Sequence, residues 1–173
     1  MSFHIKIHRK RSVSSEAFYV ALAVTEEGRR DVLGIFNIPT ESATGWSDIF
    51  DTLKERGVQK IGLMVAGGIK GLDVVVGEKF TGTPLQRCVT HLKRNTNSCV
   101  TTPINWAPEI QSMIYTTNWI ERLNRDFRRV TRMRTAMPNE ESVLTLMGSV
   151  AMEHKAFDRL LPNITCDKTL FPD

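Results

Sequence analysis

Apolar and polar residues alternate at the start of the chain. Phe3, Ile5 and Ile7 are separated by polar residues, the period-2 pattern of a half-buried strand. The polar residues 9–15 then predict a turn, and residues 25–29, which contain a glycine, predict a second one. The strands predicted on either side of these turns comprise residues 3–8, 18–24 and 31–38. Short connections between them predict an antiparallel three-strand meander, whose second strand is apolar enough to be covered on both faces.

The spacing of apolar residues changes after residue 40. Side chains three or four positions apart predict a helix that ends near Gly57. These side chains are Trp46, Ile49, Phe50, Leu53 and Val58. The apolar run 60–66 is typical of a buried parallel strand after a crossover helix. A helix from residue 69 to about residue 79 and a short strand over 85–89 complete an α/β order with a mixed sheet.

The last third of the chain reads as helical. Pro108 suits the first turn of one helix, Asn118 can cap a second, and the segment 138–141 opens a third. The apolar stripe of the second is Ile120, Leu123, Phe127 and Val130, and that of the third is Val143, Leu146, Met147 and Val150.

Composition narrows the class of protein only a little. Twenty-three Lys and Arg against nineteen Asp and Glu leave a formal charge of +4, which is compatible with a nucleic-acid partner without requiring one. Three cysteines argue against a disulfide framework. We find neither a run long enough to span a membrane nor a signal peptide, so we expect a soluble, cytoplasmic protein without a membrane partner.

The segment from Asn118 to Arg132 carries the most informative charge pattern. On a helix, Glu121 shares a face with Arg125 and Arg128. Further arginines on an adjacent stripe are Arg122, Arg129 and Arg132. One interpretation is a solvated helix with salt bridges at Glu121. The other is a carboxylate that holds a divalent metal beside arginines that hold a phosphate backbone. Spacing alone favours the first.

Two other segments are weaker candidates. Cys88 and His91 have zinc-like spacing, but suitable further ligands are lacking, so a buried cysteine beside an orienting histidine is the simpler interpretation. Lys93 and Arg94 fit phosphate contacts or ordinary solvation equally well. The Gly-Gly pair at 67–68, after a predicted strand, fits either a phosphate loop or a plain strand-to-helix turn.

In this order, the segments resemble the catalytic domain of prokaryotic Mutator-type insertion-sequence transposases. The hairpin ALAVTEEGRRDVLG resembles that family's G-x-x-x-x-G-x-(K/R)-(E/D)-V-L-G pattern, with Ala23 in the place of the first glycine. The segment RCVTHLKRN is similar to its Cys/Asp-x-x-His signature. The long segment IYTTNWIERLNRDFRRVTRMRTAMPNEESVLTL is similar to its Asn-x-x-Glu-(R/S)-x-N helix.

The resemblance implies an RNase H-like fold over residues 1–157, with a tail at 158–173. It implies a mixed sheet, an antiparallel meander plus parallel strands, flanked by helices and followed by C-terminal helices. It also implies an Asp-Asp-Glu site that binds two Mg²⁺ or Mn²⁺ ions for phosphodiester cleavage and strand transfer. Glu121 matches the family's glutamate, and the expected supporting residues are Cys88, His91 and Asn118. The expected DNA-binding residues are Lys93, Arg94, Arg122, Arg125, Arg128, Arg129 and Arg132.

Two of the three implied metal carboxylates are missing from the chain. The position of the second aspartate is Gly67, and the first falls at about Met1. A single glutamate is a poor Mg²⁺ site, so we expect weak metal binding. The family's helical insertion is also largely missing after residue 95.

The resemblance therefore predicts a transposase-derived catalytic domain for DNA transposition that is inactive as it stands. The alternative is a non-enzymatic remnant that binds DNA or interacts with a transposase. Either interpretation implies DNA, as transposon ends or target, and a homo-oligomer as partners.

Overall fold

The computed structural model describes residues 2–38, 43–67, 69–88 and 118–153. In chain order their elements are β1 (Ser2–Arg9), β2 (Ser12–Val24), β3 (Arg30–Asn37), α1 (Ala43–Glu55), β4 (Met64–Ala66), α2 (Leu72–Lys79), β5 (Leu85–Arg87), α3 (Asn118–Arg132) and α4 (Glu140–Met152). The chain divides into two compact units. The first unit contains β1 to β3 with α3 and α4, and the second contains α1, β4, α2 and β5. The predicted helix start at Pro108 and the predicted tail at 158–173 lie outside the described residues.

The sheet of the first unit is the predicted antiparallel meander, in the order β1-β2-β3. Phe3 lies opposite Phe18, and Phe18 lies opposite Asn37 on the other side. Gly28 closes the second turn with a φ of 75°, in the left-handed region that favours glycine, and its N–H donates to the Thr25 carbonyl at 2.9 Å. The prediction of three strands joined by short turns is confirmed.

The first turn is much shorter than predicted. Only Lys10 and Arg11 form it, and β2 already begins at Ser12. The prediction of a turn was therefore wrong for Arg9, which ends β1, and for residues 12–15, which belong to β2. Pairing of the two strands extends to Ser12 opposite Arg9. Main-chain hydrogen bonds of a ladder do not depend on side-chain polarity, so a polar sequence at the end of a sheet extends a strand as well as an apolar one does.

The core of the first unit lies between this sheet and the helices α3 and α4. Phe3, Ile5 and Ile7 are buried as their alternation predicts, and the Phe3 ring meets Phe127 of α3 edge to face, 5.5 Å between centroids. Val143 and Met147 of α4 are fully buried in the same cluster. Just before α4, Met137 binds β1 in a parallel bridge, with the His8 N–H donating to the Met137 carbonyl at 2.9 Å.

The second unit packs α1 against α2 beside a short parallel pair of strands. Phe50 of α1 contacts the Phe80 ring that follows α2, with 5.6 Å between centroids, and the Lys79 ammonium binds Asp51 at 2.6 and 2.7 Å. α1 is followed by Gly57 at a φ of 99°, which confirms the predicted end. The predicted parallel strands are present as β4 and β5, but each has only three residues.

α2 begins at Leu72, three residues later than predicted. Gly71 precedes it with a φ of 75°, and a residue in this left-handed conformation cannot belong to a right-handed helix. The glycine therefore sets the helix start, although Ile69 continues the apolar pattern.

Within the described ranges, the strands form two separately paired sheets, three antiparallel strands and two parallel ones. The chain is thus a mixed α/β protein, and an RNase H-like mixed sheet that joins all strands stays a prediction. Across the same ranges, we find no helix with the length and apolar character needed to cross a membrane.

Candidate nucleic-acid interface

Helix α3 has one face in the core of the first unit. Leu123 and Phe127 are almost fully buried, while Ile120 and Val130 at the margins are half-buried. This confirms the predicted apolar stripe. Arg129 and Arg132 in the last turn are placed favourably for the negative end of the helix dipole. The helix begins at Asn118, the first residue of the Asn-x-x-Glu segment.

The opposite face of α3 is almost entirely basic. Its exposed charged residues are Glu121, Arg122, Arg125, Arg128, Arg129 and Arg132. At about 100° per residue, these six positions span an arc of about 120° on the side away from Leu123 and Phe127. We call the five arginines the arginine face.

The arginine face is not neutralised by carboxylates of the described residues. The ion pairs found in these ranges are those of Arg9 and of Lys79, and none of them includes an arginine of this face. Five outward guanidinium groups on one helix face instead form a concentrated positive surface.

Arg30, at the start of β3, is a further arginine of the first unit. It lies opposite Val24 in the sheet and shares a sheet face with Val32, which packs against the core cluster that contains Leu123. Its side chain is half-buried. Burial lowers the pKa of Arg30, and the positive charge of the nearby Arg122 lowers it further. No local pattern in the sequence points to this residue, because the charge that acts on it belongs to a helix some ninety positions later.

Asn124, in α3, is a second residue that is absent from the predicted site. It is only 6% exposed although it is polar, and it follows the buried Leu123 on the margin of the apolar stripe. Its place three positions before Phe127 was the available signal, since helix residues three apart share a face.

The second unit brings two of the predicted site residues together. Gly67 follows β4 and Cys88 follows β5, and the N–H of Cys88 donates to the Ala66 carbonyl at 2.7 Å. The two residues therefore lie at the same end of the parallel pair. The Cys88 thiol is free and the residue is half-buried. His91, Lys93 and Arg94 lie outside the described residues.

The described residues do not fit a two-metal centre. No three histidine, cysteine, aspartate or glutamate side chains gather in the described ranges, and Gly67 has no side-chain oxygen to offer. The aspartates nearest in sequence to the implied positions do not change this. Asp31 accepts a hydrogen bond from the Val32 N–H at 2.7 Å, and Asp73 lies exposed in the first turn of α2.

The most buried acid described in the first unit is Glu16, in β2. Arg9 donates from Nε to Glu16 Oε1 at 2.7 Å and from Nη2 to Oε2 at 2.5 Å. Ser14 and Asn37 donate to the same carboxylate at 2.7 and 2.6 Å. These hydrogen bonds, that of Arg9 above all, hold the pKa of Glu16 at about 2. Because these donors belong to β1, β2 and β3, Glu16 links the three strands of its own unit. Its inward position, two residues before Phe18, could have been read from the alternation of the strand.

Comparison with known proteins gives a consistent result. The model of the family described as "Transposase, Mutator family" matches residues 2–106 and 103–159. The chain is 27% identical over 187 residues to the "Transposase for insertion sequence element IS905" of Lactococcus lactis, covering 78% of this chain and 48% of that protein. It is 26% identical over 204 residues to the transposase of IS256 in transposon Tn4001 of Staphylococcus aureus, covering 87% and 52%. To the transposase of ISRM3 of Rhizobium meliloti it is 28% identical over 200 residues, covering 84% and 50%. The chain thus spans about half the length of these relatives.

Proposed function

This chain belongs to the Mutator family of transposases, and on that premise we propose that it is a transposase-derived core domain that holds DNA without cleaving it. The single observation that carries the proposal is the arginine face of α3, which is exposed and is not ion-paired with carboxylates of the described residues. The role in transposition follows from the family, and DNA contact follows from the charge.

Arginine is well suited to a phosphate backbone. Its planar guanidinium donates two parallel hydrogen bonds to phosphate oxygens and remains charged at any physiological pH. Contacts of this kind supply most of the sequence-independent affinity for duplex DNA. Lys93 and Arg94 extend the basic set in the sequence. Transposon ends, target DNA, a homo-oligomeric assembly and a cytoplasmic location stay predictions from the family.

We infer the absence of cleavage from the lack of an acidic residue at a position where the family implies a metal ligand. Two-metal phosphodiester cleavage needs several carboxylates around the ions, whereas Gly67 occupies the position of the second aspartate implied by the family. Mg²⁺ also keeps most of its waters unless carboxylates or phosphates replace them. We therefore assign Glu121 no step in catalysis.

The DNA-binding part is tested by changing Arg125, Arg128 and Arg129 together to Gln. We expect salt-sensitive binding of mixed-sequence duplex DNA by the wild-type chain. In the triple variant, the slope of log K against log salt should fall in magnitude by about 0.9 for each phosphate that no longer has an arginine partner. Fluorescence anisotropy at several salt concentrations measures both the affinity and the slope.

The matched control removes three exposed positive charges elsewhere in the first unit, at Lys6, Lys10 and Arg11. This variant has the same net charge as the triple variant of α3. If the two variants bind DNA equally, the arginine face is not the binding surface. If neither differs from wild type, the proposal of a DNA-holding domain fails.

The second candidate function is cleavage by the family mechanism, favoured by the presence of Glu121 at the matching position. Supercoiled plasmid and labelled transposon-end duplexes, incubated with the chain in Mg²⁺ or Mn²⁺, should remain intact. Divalent-dependent nicking that disappears in Glu121→Gln would establish catalysis and overturn the inactive assignment.

A further inference from the structure

An almost fully exposed methionine directly follows the arginine face. Met133 is 85% exposed and lies in the turn after α3, between Arg132, which ends the helix, and Arg134. Both arginines are exposed, and none of the ion pairs found in the described ranges includes either of them. An apolar side chain therefore projects into solvent with a positively charged residue on each side of it.

The turn that carries Met133 is held by hydrogen bonds at both ends. The Arg134 N–H donates to the Thr131 carbonyl at 3.3 Å, and the Thr131 hydroxyl donates to the Phe127 carbonyl at 2.9 Å. Four residues after Met133, the buried Met137 is bound to β1, since its N–H donates to a β1 carbonyl at 2.8 Å. The main chain at Met133 is thus anchored to α3 on one side and to the sheet on the other.

The charged neighbours distinguish Met133 from other exposed apolar residues. Single apolar side chains on a surface are common, and Met152 at the end of α4 is 90% exposed beside the acid Glu153. An apolar side chain between two arginines instead matches the surface of duplex DNA, where base pairs lie between charged backbones. Proteins that deform DNA combine these two contacts, with positive side chains on the duplex and an apolar side chain inserted between base pairs.

We propose that Met133 is an apolar wedge that inserts between base pairs of the bound duplex, while Arg132 and Arg134 contact the phosphates on either side. This inference rests on the proposed function and adds to it an apolar contact and a local deformation of the DNA. Methionine suits this role because its unbranched side chain and polarisable sulfur adapt to irregular gaps. Pyrimidine–purine steps are the easiest to unstack, so the wedge favours duplexes that contain such a step.

The test uses two short duplexes that carry 2-aminopurine, a base whose fluorescence rises when it is unstacked. In one duplex the probe lies beside a central pyrimidine–purine step, and in the other it lies within a stiff A-tract. The wild-type chain should raise the fluorescence of the first duplex more and bind it about threefold to tenfold more tightly. Met133→Ala should abolish both differences, whereas Met133→Leu, which keeps an apolar wedge, should retain them.

The matched control is Met152→Ala, which truncates an equally exposed methionine at the end of another helix. It should leave the affinity and the fluorescence at their wild-type values. The salt dependence separates the wedge from the charges beside it. Met133→Ala removes no charge and should keep the wild-type slope of log K against log salt, whereas Arg134→Gln should reduce its magnitude by about 0.9.

The possible outcomes separate the two proposals. Loss of the fluorescence difference in Met133→Ala but not in Met152→Ala, with an unchanged salt slope, would support the wedge. Equal behaviour of these two variants, or an equal response of the two duplexes to the wild-type chain, would overturn the wedge and leave DNA binding by the arginine face intact. A wild-type chain that binds neither duplex would overturn both the wedge and the proposed function.

Discussion

At Glu16, a carboxylate lies inside the first unit and accepts hydrogen bonds from all three strands. Arg9 from β1, Ser14 from β2 and Asn37 from β3 donate to it, so this one residue ties the strands together. Arg9 also reaches Glu140 at the start of α4, 3.3 Å away. Only the Glu16 end of this ion pair is buried, so loss of Arg9 would leave a buried charge uncompensated, whereas loss of Glu16 would leave Arg9 exposed and paired with Glu140. Glu16 therefore matters more as a constraint on strand register than as a net gain in stability.

We predict that Glu16→Gln lowers the free energy of unfolding at neutral pH by about 1–3 kcal/mol, because a charged acceptor of three donors becomes neutral. Urea unfolding followed by circular dichroism measures it. Glu140→Gln is the control, since its ion pair with Arg9 is exposed and should contribute less than about 1 kcal/mol. Equal effects of the two substitutions would contradict the special role of Glu16.

The same residue predicts an acid dependence of stability. Its pKa is lowered from 4.5 to about 2 in the folded chain, so the unfolded chain takes up the proton first as the pH falls. The stabilisation is fully present above pH 4.5 and is lost as the pH falls toward 2. Wild type and Glu16→Gln should therefore converge in stability across this range. Parallel stability curves down to the lower end would refute the assignment.

Helix α3 divides its residues between two functions, packing on one side and charge on the other. The apolar stripe alone positions the helix against the sheet, through contacts such as that of Phe127 with Phe3. The arginines on the far side do not take part in that packing. Substitutions on the two faces should consequently have separable effects on folding and on DNA binding.

We predict that Phe127→Ala destabilises the first unit by about 3–5 kcal/mol, because it opens a cavity at a fully buried position. Arg128→Ala, the next residue on the exposed side, should change stability by no more than about 0.5 kcal/mol. Thermal and chemical unfolding of both variants give the comparison. A large loss of stability in Arg128→Ala would show that the two faces are not independent.

Helix α4 begins with a side-chain cap that can be tested on its own. The Asn139 Oδ1 accepts from the Ser142 N–H at 2.8 Å, which satisfies a main-chain donor that the helix leaves open. Asn139→Ala should cost about 0.5–2 kcal/mol, while Asn139→Asp, which keeps the acceptor, should be nearly neutral. Equilibrium unfolding distinguishes these values, and similar losses in both variants would exclude the cap as their cause.

For the molecule as a whole, both the net charge and the positions of the acidic residues support the proposed binding of DNA without cleavage. The chain carries a net charge of +4, and five of its positive groups lie on one helix face, whereas three metal-ligating side chains do not gather anywhere in the described ranges. A surface of this kind attracts polyanions without a metal as mediator.

We accordingly predict that millimolar MgCl₂ or MnCl₂ changes the Tm of the DNA-free chain no more than NaCl of equal ionic strength does. A ligand that binds the folded state raises the Tm in proportion to the logarithm of its excess over Kd, and a weak site gives almost no rise. Differential scanning fluorimetry is sufficient for this measurement. A metal-specific rise that Glu121→Gln removes would reveal a functional metal site.

The order of the amino acids already indicates the three-strand meander and the apolar stripes of α3 and α4, because each of these depends on a local period of two or three to four residues. It also contains the family signatures, which are contiguous motifs. It also shows that Gly67 occupies the position of the second implied aspartate. The hydrogen bond from Asn37 to Glu16 follows instead from strand register, and the contact of Phe3 with Phe127 follows from the docking of a helix on a sheet. Those contacts join residues far apart in the chain, and no local pattern encodes how such residues meet. The arginines of α3 can therefore be read directly from the sequence, whereas the docking of this helix on the sheet is decided by packing.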